Sequence, residues 1–245
     1  MAKKWDGLTL FDHLEELRKR LFISIITLFI ATIIGFTAVD SLRGILTRPA
    51  GHLDLIFVSP PEALMANFRL ALIAGILISM PVLTYQFLAF IFPALYKNEK
   101  KIILPVMAAM LLFFTAGISF AYFTVFPYTI IFFMQFASEG LTAMFTISNY
   151  LTFATNFLFA FGVVFQLPIL FWFLGWLHIV DAAFLRSQRK YALLFIVVIA
   201  AILTPPDVVS QIMMALPLLV LYEIGIILVV ISQRLNKKKV IKDEI

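Results

Sequence analysis

From Leu21 to Val39 the chain carries no charged residue for 19 positions. As a helix that run is about 28 Å long, close to the thickness of a bilayer's hydrocarbon. Few folds are open to such a stretch, because in lipid every backbone N–H and C=O must find a partner within protein, and a helix supplies one locally. The pattern recurs in Arg69–Phe92, in the 25 uncharged residues of Ile102–Phe126, and in Leu151–Leu177. Tyr191–Leu203 and Val208–Tyr222 are shorter, the former about 20 Å as a helix. Hydrophobic residues make up 62% of the chain and charged ones 13%, against about 25% charged in soluble domains. The reading is an all-α polytopic membrane protein with six transmembrane helices, the last two short.

Charge sets the expected topology. Of 19 Lys and Arg residues, 16 fall in residues 1–20, the 93–101 loop, the 179–190 loop and the tail. Basic residues gather on the cytoplasmic side of a membrane, so both termini are expected in the cytoplasm. The basic excess reports orientation and does not call for nucleic acid. A single integral membrane domain covers 1–245: a cytoplasmic amphipathic N-terminus (1–20), a six-helix membrane region (21–232) and a basic cytoplasmic tail (233–245). Leu10, Leu14, Leu17 and Leu21 give the N-terminus one apolar helical face, suited to the membrane surface. Asp12, Glu15 and Glu16 precede the first apolar run and no small-residue cleavage site follows it, unlike a cleaved signal peptide.

Local punctuation places the helix ends. Ser59-Pro60-Pro61-Glu62 reads as a helix start, with prolines in the first turn and Glu at the third position. Pro81 should kink the helix that follows, and Pro93 should stop it. Pro127–Tyr150 reads as an outer segment whose apolar half, Tyr128–Ala137, is interfacial. Ser148 or Asn149 can cap the next helix. Glu223 closes the short run Val208–Tyr222.

No enzymatic constellation is visible. There is no Cys, and His13, His52 and His178 lie in separate segments. Neither a nucleophile elbow nor a phosphate-cradling glycine loop occurs. No metal or other cofactor is expected, and the chain does not read as an enzyme. The polar residues inside the membrane are Gln166, Asp207, Gln211 and Glu223, and ionisable groups there are costly enough to suggest function. Asp207 is equally readable as a helix N-cap, and Glu223 as a helix boundary. Taken alone, these residues fit a proton-coupled secondary transporter of a small solute, which stands as the alternative function.

Two polar stretches flank the first spans. In Tyr85–Lys101 (YQFLAFIFPALYKNEKK), Glu99 is the only acid between Glu62 and Glu139. It can favour the N-terminus of the next helix through the dipole, or serve recognition. In His13–Leu21 (HLEELRKRL), Glu15–Lys19 and Glu16–Arg20 have the spacing of solvated i,i+4 pairs.

These stretches, with AYFTVFP (Ala121–Pro127), FGVVFQLPI (Phe161–Ile169), TPPDVVSQ (Thr204–Gln211) and LPLLVLYEIGI (Leu216–Ile226), resemble the TatC family in content and order. The TatC family is the multi-spanning receptor of the twin-arginine (Sec-independent) protein translocase. The resemblance implies a receptor that binds the paired arginines in signal peptides of folded cargo. It would recruit single-span TatA-type and TatB-type partners for export driven by the protonmotive force. It also implies a homo-oligomeric complex in the plasma (inner) membrane of a prokaryote. The family's recognition carboxylates fall on Glu16 and Glu99, its aromatic and tip contacts on Phe90 and Leu95, and its N-terminal basic contact on Arg18. Partner docking is implied on the last helix pair, around Thr204, Asp207 and Gln211. Gln166 departs from a position where many members of the family carry Glu, and its amide cannot titrate.

Overall fold

The computed structural model describes residues 10–51, 55–56, 58–91, 103–135, 145–203 and 208–243. Among them, the helices are α1 (Leu10–Gly35), α2 (Val39–Thr47), α3 (Pro60–Ile91), α4 (Ile103–Phe120), α5 (Phe126–Met134), α6 (Ile147–Val164), α7 (Leu167–Trp176), α8 (Ala182–Ser187), α9 (Arg189–Leu203) and α10 (Val208–Asp243). Two short strands, β1 (Leu55–Ile56) and β2 (Phe145–Thr146), pair in parallel with Leu55 opposite Phe145. Among the described residues, five helical stretches are long and apolar enough to cross a membrane: His13–Thr47, Pro61–Phe90, Ile103–Met134, Ile147–Trp176 and Val208–Arg234. The all-α polytopic expectation holds. The chain divides into two compact units, residues 1–45 with 60–111 and residues 46–59 with 112–245.

In the first unit α1 and α3 lie antiparallel. His13 meets Phe90, Arg20 meets Gln86, Thr32 meets Gly75 and Phe36 meets Phe68. Numbers rise along one helix and fall along the other. Close approach rests on small residues: a Cβ on Gly35 would stand 2.6 Å from the Ala71 carbonyl oxygen. Lipid supplies no hydrophobic force between helices, so such tight backbone packing is how membrane helices adhere. Thirteen to thirty-six is about 35 Å of helix, so the His13 end and the Phe36 end lie roughly one membrane apart.

The second unit is held by aromatic rings and by glycines. Phe126, Phe153, Phe157 and Phe161 form a chain of neighbouring rings between α5 and α6, with centroids 5.0–5.9 Å apart. Tyr150 donates to the Leu46 carbonyl oxygen at 2.8 Å. Gly175 and Gly225 let α7 and α10 approach, facing Val229 and Phe171, so these two helices run parallel. Gln211 to Val197 and Arg189 to Glu223 make α9 antiparallel to α10.

Several boundaries differ from the sequence reading. The helix start at Ser59–Glu62 holds, since α3 begins at Pro60. However, α1 runs without interruption across residue 20, continuing the amphipathic N-terminus directly into the first apolar run. Pro127 does not end the third apolar stretch. A π-helical turn, Ala121–Val125, joins α4 to α5, and such a bulge absorbs the hydrogen bond that proline cannot make. The cap of α6 is Thr146, whose side chain accepts from the Asn149 N–H at 3.3 Å, rather than Ser148 or Asn149. Glu223 does not close the last helix either: α10 passes through it to Asp243, so its apolar part, 208–234, is not short. Only α9, with 15 residues, is.

Candidate functional site

The start of α1 and the end of α3 bring five of the polar and aromatic side chains of the two motifs together. The His13 imidazole stacks on the Phe90 ring, centroids 4.5 Å apart and planes 22° from parallel. One turn further, Glu16 Oε1 accepts from both Nε and Nη2 of Arg20, at 3.1 and 2.5 Å. Arg20 Nη1 donates to Gln86 Oε1 on α3 at 3.2 Å. Both bonds to Glu16 end on the same oxygen, so Oε2 has no bond among the described residues. The pair is only partly exposed, at 25% for Glu16 and 22% for Arg20.

This arrangement follows from spacing. Glu16 and Arg20 are one helical turn apart, and the antiparallel register carries Gln86 to the same level. Arg18 lies exposed on α1, beside the exposed apolar side chains Leu14, Leu17 and Leu21. Of the sequence-predicted recognition residues, Glu16, Phe90 and Arg18 are therefore on the same end of one helix pair. Glu99 and Leu95 lie outside the described residues. The i,i+4 signal found the Glu16–Arg20 pair. His13 and Gln86 were missed, and only the helix register could have singled them out.

Of the polar residues expected inside the membrane, Gln166, Gln211 and Glu223 are described, and each is engaged in the fold. Gln166 stands where α6 breaks into α7. Its N–H bonds to the Val163 carbonyl at 3.0 Å, which leaves the Gly162 carbonyl without its regular helical donor. The Gln166 side-chain Nε2 donates to that oxygen at 3.4 Å. Pro168, which has no N–H to continue the ladder, accounts for the break. Gln211, where the resemblance implies partner docking, has its Nε2 engaged within the fold, donating to the Val197 carbonyl of α9 at 3.0 Å. Glu223 pairs with Arg189 at 2.7 Å, both half exposed. Thr204 and Asp207 lie outside the described residues. No group of three or more His, Asp or Glu residues able to hold a metal occurs among the described residues.

An apolar groove of about 590 Å³ runs between α6, α9 and α10, lined by Phe159, Val163, Ile199, Ile202 and Leu218 with Asn156 as its polar member.

Residues 12–217 match the family model described as Sec-independent protein translocase protein (TatC). A curated relative of that name from Carboxydothermus hydrogenoformans is 44% identical over 222 residues, covering 89% of this chain and 91% of the relative. Another, from Desulforapulum autotrophicum, is 41% identical over 232 residues, covering 93% and 86%. A crystal structure of the twin-arginine translocase receptor TatC superposes with a TM-score of 0.80 at 38% identity, covering 90% of this chain and 99% of that one.

Proposed function

The chain belongs to the TatC family of Sec-independent protein translocase proteins, and from that premise we propose that it is the receptor subunit of a twin-arginine translocase. The observation that carries this reading is the match of nearly the whole chain to a solved twin-arginine translocase receptor. The family is one of translocase proteins, not of enzymes, and the protein is a multi-pass membrane protein.

Recognition is assigned to the polar end of the α1–α3 pair. An arginine guanidinium presents two parallel N–H donors to a carboxylate, a fork that lysine lacks. Glu16 offers Oε2 to one guest arginine, whose second N–H reaches Oε1 once Arg20 gives up one of its two bonds there, and Glu99 takes the other. Phe90 and Leu95 receive apolar parts of the signal peptide, and Arg18 contributes a basic rim. Arg20 holds Glu16 from one side and raises the local positive charge. That charge disfavours generic cationic peptides and leaves the gain to guests able to make the bidentate pair.

Partner docking is assigned to α9 and α10. Single-span TatA-type or TatB-type helices would lie in the groove lined by Ile199, Ile202 and Leu218, next to the short α9. Gln211 Oε1 is the acceptor left for a polar residue of the partner, and Thr204 and Asp207 are assigned to the same docking role. Within the second unit α9 opposes α10 while α7 runs parallel to it, the alternation that six passes require. With the basic asymmetry this supports cytoplasmic termini, and the receptor reading carries with it a prokaryotic plasma membrane and a homo-oligomeric complex. The test is capture of the full-length protein by an immobilised arginine-pair signal peptide beside its lysine-pair control. Retention on the first alone is expected; equal retention on both sinks the reading.

A further inference from the structure

A second polar cluster lies far along the chain from the recognition residues, where α7 gives way to α8 and α10 leaves its apolar stretch. A cavity of about 360 Å³ there is lined by His178, Asp181, Val230, Gln233 and Arg234. Its depth follows from hydropathy. The apolar stretch through α6 and α7 ends at Trp176, and that of α10 ends at Arg234. Trp172 and Trp176 stack beside this end of α7, with centroids 6.5 Å apart, and tryptophan favours the level where hydrocarbon meets headgroups.

One residue at the cavity departs from the ordinary choice for its backbone position, and two others keep polar groups that the described fold leaves available. His178 occupies the left-handed position after α7, with φ 57°. The Ile179 N–H bonds to the Leu174 carbonyl and the His178 N–H to that of Gly175, which makes a Schellman cap where glycine is usual. A non-glycine residue there costs conformational energy and brings a side chain glycine would not. Asp181 has the extended N-cap geometry of α8 yet makes no capping bond. Its Oδ1 instead accepts from Gln233 Nε2 at 2.7 Å, leaving Oδ2 for another donor. Arg234 forms no ion pair among the described residues. Val230, Gln233 and Arg234 share one face of α10 by their spacing of three and four.

We propose that this cavity binds the zwitterionic phosphoethanolamine headgroup of a membrane phospholipid. The Arg234 guanidinium and the His178 imidazole donate to the phosphate oxygens, the Asp181 carboxylate accepts from the ammonium, and Val230 meets the start of the acyl chains. A purely anionic headgroup gains from Arg234 but meets the Asp181 charge. A choline headgroup has no N–H to give that carboxylate. The assignment concerns the depth of the cavity, not which leaflet it faces, so it stands apart from the receptor role.

The full-length protein in detergent is titrated with phosphatidylethanolamine, phosphatidylcholine and phosphatidylglycerol of identical acyl chains, and the bound lipid is read by native mass spectrometry. Wild type should retain the ethanolamine lipid at least about threefold better than either other, the scale of one charge-assisted hydrogen bond in partly wet surroundings. Asp181→Asn should erase the preference over choline. Its amide oxygen still accepts from Gln233, so the fold is kept, as an unchanged thermal midpoint will register. Arg234→Gln should weaken all three lipids, and Arg234→Lys should restore part of the loss. Displacement of the lipid by soluble glycerophosphoethanolamine but not by inorganic phosphate is expected. Equal retention of the three lipids by wild type, an Asp181→Asn variant that keeps its selectivity, or displacement by inorganic phosphate alone overturns the proposal.

Discussion

Two of the carboxylate–guanidinium pairs among the described residues differ in what they join. Glu16 and Arg20 lie on one helix, four residues apart, with about three-quarters of each side chain buried. Glu223 and Arg189 lie on two helices, 34 residues apart in sequence, with about half of each exposed. The first pair closes no tertiary contact by itself; Gln86 adds that through Arg20. Removing Glu16 therefore changes what the surface can bind more than how the helices stand. The second pair ties α9 to α10, so removing it acts on the fold. In membrane helices a local pair is free to serve recognition, and a bridging pair is not.

The sharpest test of this contrast is Glu16→Gln. The amide keeps the shape and loses the charge, so arginine-pair peptide binding should weaken by about 1.5–3 kcal/mol, read by titration calorimetry in detergent. Glu99→Gln should act in the same direction. The thermal midpoint should not move. Binding at the wild-type level in Glu16→Gln removes the recognition role from α1. Next in size is Gly35→Val, which acts on the fold of the same helix pair. Its side chain would press on the Ala71 carbonyl and on Ala74, and overpacking of this kind costs roughly 1–3 kcal/mol. A loss of thermal stability is expected, with peptide binding lost along with it. A stable variant with intact binding would show that α1 and α3 do not need this close approach.

A smaller effect separates the roles of Arg20. If its charge screens Glu16 against generic cations, Arg20→Gln should admit lysine-pair peptide more than it helps arginine-pair peptide. The ratio of the two affinities should narrow by roughly threefold, well under the effect of losing the carboxylate. An unchanged ratio would leave Arg20 as a tether to Gln86 and nothing more.

How much of this could be read from the chain depends on the range of the interaction. Charge-free runs, the Pro60 start of α3 and the Glu16–Arg20 spacing are local, and they were legible. The course of α4 into α5 was not, because Pro127 normally signals a stop, and the π-turn that carries the helix past it leaves no periodic mark. Glu223 read as a boundary because its neutralising Arg189 is 34 positions away. Gln166 read as a lone polar residue in the membrane, whereas its side chain replaces a backbone donor lost at the α6–α7 break. Gln86 and His13 gained a role only once the antiparallel register of α1 and α3 was known.

The last and smallest effect belongs to the bridging pair itself. Arg189 is the first residue of α9, and Glu223 lies fifteen residues into α10. Two side-chain bonds between these helices are Arg189–Glu223 and Gln211 to the Val197 carbonyl. The ion pair is half exposed, so water and salt screen it, and about 0–1 kcal/mol is the expected contribution. Arg189→Gln should lower the thermal midpoint slightly, by less in high salt than in low salt. The charge-swapped double variant Arg189→Glu with Glu223→Arg should recover part of the loss, though each charge then sits in a neighbourhood chosen for the other. Peptide binding should stay at the wild-type level in both variants, since neither residue is assigned a recognition role. A drop in peptide binding on Arg189→Gln, with the fold intact, would mean that the pair on α9 and α10 also serves recognition, and the division between local and bridging pairs would fail.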